Sequence, residues 1–283
     1  MNRHMTENTR NNKTTLVLGG TGKTGRRVAE RLMARGVPTR LGSRSGRPPF
    51  NWEDRTTWAP VLQNVESAYV SFYPDLAVPG AAEIIGSFAR LAVANGVRRL
   101  VLLSGRGEKE AQISEQAVQD SGSDWTIVRS SWFNQNFSEG AMLEPVLSGE
   151  VALPVGDVAE PFIDAEDIAD VVVAALTEDR HAGQLYEVTG PRLLTFAEAV
   201  REVAEAAGRE IRFVSVTTEQ YASVLAEDGV PEEVVSQLVY LFTEVLDGRN
   251  AHLTDGVRRA VGRQPLDFAN FARDTAASGV WAG

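Results

Sequence analysis

The chain has no cysteine among its 283 residues. That removes disulfides, thiolate nucleophiles and cysteine-held iron–sulfur clusters from its chemistry. Histidine is almost as scarce, with His4, His181 and His252 far apart in polar stretches. There is no His-x-x-x-His pair and no Gly-x-Ser-x-Gly elbow, so metal-assisted and serine hydrolysis lack their parts and no metal site is expected. Lysine occurs only at Lys13, Lys23 and Lys109. The residues four places after the tyrosines are Tyr73, Ala77, Gly190, Leu225 and Glu244, which excludes a Tyr-x-x-x-Lys acid/base pair. No apolar run approaches the roughly 18 residues of a membrane span. The polar start, MNRHMTENTRNNK, lacks the apolar core of a signal peptide. It reads as a disordered lead-in over 1–13, and a cytoplasmic setting is expected.

What is present fits a soluble globular protein. The apolar fraction is 43% and the net charge −10, with a pI near 5.0. A field of that sign repels nucleic acid and anionic membranes, so neither is expected as a partner. Basic residues gather in the first half (Arg26, Arg27, Arg31, Arg40, Arg44 and Arg47), a local polarity that suits a phosphorylated small molecule.

The chain is organised around Thr14 to Arg31, TTLVLGGTGKTGRRVAER. Leu16-Val17-Leu18 reads as a buried parallel strand. Gly19, Gly20, Gly22 and Gly25 follow, and Val28, Ala29 and Leu32 then recur at helical spacing. Strand, glycine turn and helix in this order form the phosphate end of a dinucleotide site, with the first amides of the helix facing the charge. An ATP-type P-loop fails on spacing, because the glycine it needs five residues before Gly22 is Val17. An acidic residue about 20 positions past the glycines usually holds the ribose hydroxyls of NAD. Here that place carries Ser43-Arg44-Ser45-Gly46-Arg47, and guanidinium groups can hold a 2′-phosphate. NADP(H) is therefore favoured as cofactor, with NAD(H) possible.

Further strands are expected at Thr39–Ser43, Pro48–Trp52, Ala68–Phe72, Arg99–Leu103 and Trp125–Val128, alternating with helices at Gly80–Asn95 and Glu110–Asp120. This alternation implies an α/β fold with a doubly wound parallel sheet. The expected organisation is a Rossmann dinucleotide-binding domain over 14–150. A smaller α/β lobe over 151–283 mainly binds substrate, with some elements returning to the sheet. In that second part, strands are expected at Val151–Pro154, Leu185–Val188 and Ile211–Val216. Helices are expected at Ile168–Leu176, Thr195–Ala207, Thr218–Glu227, Pro231–Leu246 and Leu266–Ala276. Asp164, Glu166 and Asp167 read as cap and first-turn acids of the first of these helices. Ligands of such sheets bind at the carboxyl ends of the strands.

LVLGGTGKTGRRV, DSGSDWTIVRSSWFNQNF (Asp120–Phe137) and FIDAEDIADVVVAAL (Phe162–Leu176) resemble the NmrA-like branch of the atypical short-chain dehydrogenases/reductases. The likeness runs over about residues 14–215. That branch includes NAD(P)H-dependent quinone and dye reductases and also regulators that bind the dinucleotide without turnover. The resemblance implies pyrophosphate contacts from Gly19, Thr21, Gly22, Lys23, Thr24 and Gly25. It places Arg44 at the adenosine end, beside Ser43 of the loop read above, and Asn51 stands near the adenine where related sequences often have Asp. Phe72, Ser104 and the Ser130–Phe133 turn, including Trp132, would border the nicotinamide, and Phe133 and Asn136 would face the substrate.

The resulting expectation is an NADPH-dependent reductase, monomeric or homodimeric, that passes hydride to a small planar aromatic acceptor such as a quinone. Water can protonate an aromatising product, so positioning does the work. Tyr73, Trp132 and Phe133 would sandwich the ring, and Asn136 and Arg106 would polarise a carbonyl. The alternatives are a tailoring enzyme acting on an anthraquinone-like polyketide and a non-catalytic dinucleotide sensor.

Overall fold

The central strands of the first half send alternate residues to opposite sides, and two helical layers cover them. Leu16 and Leu18 join one buried cluster while Val17 joins another, and Ala68/Val70 against Tyr69 and Leu100/Leu102 against Val101 repeat the split. A strand that is apolar on both faces must be covered on both, as in a parallel sheet wrapped by helices. The computed structural model describes residues 13–282; the expected lead-in, Lys13 apart, lies outside the described residues.

The elements run β1 (Thr14–Leu18), α1 (Lys23–Ala34), β2 (Thr39–Gly42), α2 (Trp58–Val61), β3 (Val65–Val70), α3 (Ala81–Ala94), β4 (Arg99–Gly105), α4 (Lys109–Gln119) and β5 (Asp124–Ser130). Next come α5 (Asn136–Glu139), α6 (Leu143–Ser148), β6 (Glu150–Leu153), β7 (Ala159–Glu160), α7 (Ala165–Thr177), β8 (Gln184–Val188), β9 (Leu194–Thr195) and α8 (Phe196–Ala207). The chain closes with β10 (Arg212–Ser215), α9 (Thr218–Glu227), α10 (Glu232–Tyr240), α11 (Gly256–Val261) and α12 (Phe268–Ala277). Six parallel strands form the main sheet in the order β2-β1-β3-β4-β5-β8. Helices α2, α3 and α4 cover one face, and α1, α7 and α11 the other. The fold is the expected Rossmann-type doubly wound sheet. A third core gathers α6, β6, α8 and α12 around Phe137, Phe196 and Trp281.

The strand expected at Pro48–Trp52 is not there. Pro48 and Pro49 have no amide to give a sheet ladder, and the segment instead folds back so that the Phe50 amide donates to Ser43 O at 2.8 Å. Phe50 and Trp52 pack edge-on with each other and with Phe88. The sixth strand of the sheet is β8, supplied from beyond residue 150. The helix expected over Pro231–Leu246 passes into a π-helical turn at Leu241–Val245, and α11 was not expected. The capping box at Thr195 and Glu198 is formed, and Asp164 caps α7 by accepting from the Glu166 amide at 2.9 Å. His181 is buried rather than set in polar surroundings. Its Nδ1 meets the Tyr186 hydroxyl at 2.8 Å, and burial holds its pKa below the ordinary value.

Candidate active site

The glycine loop closes as its spacing requires. The Gly22 amide donates to Gly19 O at 2.8 Å, and Gly19 takes a φ of 66°. A Cβ on Gly25 would lie 2.1 Å from Gly19 O, so only glycine lets α1 pack this close under the turn. Gly22 is the N-cap of α1 and no side chain caps the helix. Its first amides are therefore unused by side chains, at the positive end of a 12-residue helix. This cradle fits a pyrophosphate. Thr24 does not turn its hydroxyl to the solvent side: Oγ1 accepts from the buried Tyr69 hydroxyl at 2.9 Å, and burial raises the pKa of that phenol. Thr21 is exposed at the tip of the loop.

The arginines divide into two groups. Arg26, Arg27 and Arg31 are engaged by carboxylates. They bind Glu139, Glu166 and Asp170, fastening α1 to α5 and α7. Arg40 donates to Val61 O and Gln63 O. Arg44 and Arg47 are exposed beyond β2 and form no ion pair or hydrogen bond among the described residues. Ser43 stands between them and the sheet, its hydroxyl 3.4 Å from that of Ser45. Asn51 turns its Oδ1 back to the Glu53 amide at 3.2 Å.

From the loop a cleft of ≈ 460 Å³ runs along the carboxyl ends of β1, β3, β4 and β5. Gly19, Gly22, Lys23 and Thr24 line its phosphate end, and Phe72, Tyr73 and Ser104 its middle. Trp132, Phe133 and Asn136 form the far wall, so the structure brings these sequence-selected residues to one place. Gly25 sits beneath the loop, and Thr21, Ser43, Arg44 and Asn51 lie outside the cleft lining. Tyr73 is 78% exposed. Trp132 also packs on Phe196 and Phe242. Phe133 is pinned by a bridge to Ile163, and Phe137 is core. Asn134 is fully buried, with neither amide atom partnered among the described residues; nothing in the structure explains it. Lys23 Nζ donates to Asn136 Oδ1 at 2.9 Å, and burial lowers the Lys23 pKa.

Two side chains are already committed within the protein. The Ser104 hydroxyl donates to Glu115 at 2.6 Å. Arg106 is 3% exposed and gives its donors to Ser131 Oγ, Asn250 O and His252. It clamps the 250–252 segment, which leaves it poorly placed to polarise a carbonyl, and it holds Asn250 at the cleft wall.

Sequence reasoning missed three carboxyl groups on the cleft wall: Asp75, Glu108 and Glu160. Burial raises all three pKa values. Glu108, beside Asp75, is pushed up to about 8 and Glu160 to about 7. The first two face one another, and like charges in contact favour one shared proton. Among the described residues no cluster of acids and histidines could hold a metal ion, and no helix is long and apolar enough to cross a membrane.

Fold and cradle define a dinucleotide-binding protein of the Rossmann type. The model of the NmrA-like family matches residues 108–263. An NAD(P)H azoreductase of Xenophilus azovorans is 32% identical over 93% of this chain and 98% of its own length. Prestalk A differentiation protein A of Dictyostelium discoideum is 29% identical over 92% of this chain and 91% of its own. Among solved structures, the NADPH-dependent quinone oxidoreductase of Escherichia coli in complex with NADPH superposes with a TM-score of 0.77. That match has 19% identity and covers 92% of this chain and 99% of the other. The chain belongs to the NmrA-like family. With its phosphate cradle and its likeness to the azoreductase, it is an NAD(P)H-dependent oxidoreductase.

Proposed function

We propose that this protein passes hydride from NADPH to a flat conjugated acceptor, with quinones the preferred class and azo compounds the nearest alternative. The reading rests on one observation. A single cleft joins the phosphate loop at Gly22 and Lys23 to a wall built from Trp132, Phe133 and Asn136. NADPH, when bound, supplies the hydride. Gly19, Gly22 and the first amides of α1 would hold its pyrophosphate, and Arg44 its 2′-phosphate. Phe72 and Ser104 would border the nicotinamide.

The residues on the acceptor side do three things. Phe133, fixed by its bridge to Ile163, offers an aromatic surface for stacking. Asn136 has its Oδ1 engaged by Lys23, which turns its NH₂ into the available donor toward a carbonyl or azo nitrogen. Trp132, with Leu241 and Val245 of the π-helical turn, gives the cleft an apolar lining. Holding two reactants in near-attack contact can account for much of such a reaction. From beyond residue 150, Glu160, Leu241, Val245 and Asn250 line the cleft, while β8, α7 and α11 belong to the main sheet and its covering layer.

The experiment is NADPH oxidation by the purified protein over a panel of benzoquinones, naphthoquinones and azo dyes. Acceptor-dependent turnover is expected. Tight NADPH binding with no turnover on any member would make the protein a dinucleotide sensor.

A further inference from the structure

Glu160 ends the two-residue strand β7, which pairs with β9 through Glu160 and Leu194. The next residues lie against the end of the main sheet. The Gly190 amide donates to Pro161 O at 3.1 Å, and a Cβ on Gly190 would stand 2.0 Å from Phe162 O. Ile163 then donates its amide to Trp132 O at 2.8 Å and accepts from Asn134 at 2.9 Å. This chain of contacts fixes Glu160 on the same wall as Trp132 and Phe133. The residue is 1% exposed, and neither carboxyl oxygen has a hydrogen-bond partner among the described residues. Arg106, the cation that acts on it, makes its own ion pair with Glu187 instead. A buried carboxylate with no partner is costly, so the neutral acid is the favoured form. A neutral carboxyl also carries an O–H that can be donated.

Going beyond the reductase reading and resting on it, we propose that Glu160 is the proton donor of the cleft. Once the acceptor has taken hydride, its oxygen or nitrogen carries an electron pair and negative charge. That pair forms a bond to the Glu160 proton, the Glu160 O–H bond breaks, and its electrons stay on the carboxylate. Solvent returns a proton to Glu160 before the next cycle, so acceptor, NADPH and H⁺ become reduced acceptor and NADP⁺. The positive charge of Arg106 stabilises the carboxylate left behind. Glu108 has one unpartnered carboxyl oxygen, whereas both oxygens of Glu160 are without a partner among the described residues. The Ser104 hydroxyl is held by Glu115, and Lys23 donates to Asn136. Glu108 faces Asp75, and Tyr73 stands largely in solvent. The charged and titratable groups around Glu160 are Arg106, with Glu187, Arg129 and His252 behind it, and Asp75 and Glu108 elsewhere on the wall.

The test compares wild type, Glu160→Gln and Glu160→Asp on the best acceptor of the panel, at saturating NADPH, from pH 5 to 9. Wild-type kcat should fall as pH rises through neutrality. Glu160→Gln should lose about 100-fold or more at pH 6, lose that pH limb, and keep its NADPH affinity. Glu160→Asp should retain the limb at a reduced rate, which a purely structural role would not produce. A Glu160→Gln enzyme with wild-type rate and pH profile overturns the proposal, as does a Glu160→Asp enzyme without the limb should the Gln variant not fold. A wild type that binds NADPH and reduces no acceptor overturns the reductase reading itself, and this proposal with it.

Discussion

Lys23 at the start of α1 donates a hydrogen bond of 2.9 Å to Asn136 at the start of α5. The bond crosses 113 positions of sequence and ties the phosphate loop to the acceptor wall. In the proposed reading Lys23 has two duties, as a cation near phosphate and as the anchor that sets the Asn136 amide. Lys23→Met should weaken NADPH binding and lower kcat together, whereas Asn136→Ala should lower kcat with little change in NADPH affinity. A double-mutant cycle on kcat should give a coupling of about 1 kcal/mol. Strict additivity would mean the bond does not orient Asn136.

The closeness of Gly25 to Gly19 sets a second expectation. Adding one methyl places a carbon 2.1 Å from the Gly19 carbonyl, so the loop must move away from its phosphate-binding shape. Gly25→Ala should remain folded by circular dichroism and lose at least about tenfold in NADPH affinity, as about 1.4 kcal/mol of misplacement would produce. Calorimetry showing unchanged affinity would contradict the assignment of the cradle.

This loop was legible in the sequence because strand, turn and helix are contiguous and local sterics decide them. Other parts of the site were not, for physical reasons. Arg26, Arg27 and Arg31 counted as basic residues beside a phosphate site, but their carboxylate partners arrive from Glu139, Glu166 and Asp170, more than a hundred positions away. Pro48–Trp52 is apolar enough for a strand, yet its two prolines deny it a ladder. Asp75, Glu108 and Glu160 come from separate connections and a two-residue strand, so no spacing announced that they line one cleft. In the SSWFNQNF stretch Trp132, Phe133 and Asn136 reach the cleft while Phe137 and Asn134 are buried, and the burial of an amide such as Asn134 was not legible in the sequence.

Cofactor choice should rest on Arg44. With no partner of its own among the described residues, it is available to a 2′-phosphate. Arg44→Ala should weaken NADPH by about 1.5–3 kcal/mol, the worth of a charged hydrogen bond, and leave NADH nearly unchanged. Fluorescence titration of both cofactors decides it. Equal losses would place Arg44 against some other part of the dinucleotide.

Glu160 should also leave a mark on stability without any ligand. Its carboxyl has an ordinary value of 4.5 in the unfolded chain and about 7 in the fold. Between these values the native state binds more protons, so wild-type stability falls as pH rises through the window. Glu160→Gln lacks this term. Relative to wild type it should gain on the order of 2–3 kcal/mol between pH 4.5 and pH 8, with the change confined to that range. Urea melts over a pH series measure it. A difference that does not vary with pH would mean Glu160 titrates normally in the fold.

The central claim is that hydride leaves NADPH within this cleft for a planar acceptor. Single-turnover oxidation of NADPH deuterated at either the 4R or the 4S position, mixed rapidly with a quinone, tests it most directly. One isotopomer should slow the reaction at least about twofold and the other leave it unchanged, and the isotope-sensitive step should become about 100-fold slower in Phe133→Ala through lost positioning. Oxidation insensitive to both labels, or equally sensitive in wild type and Phe133→Ala at the same rate, would contradict it.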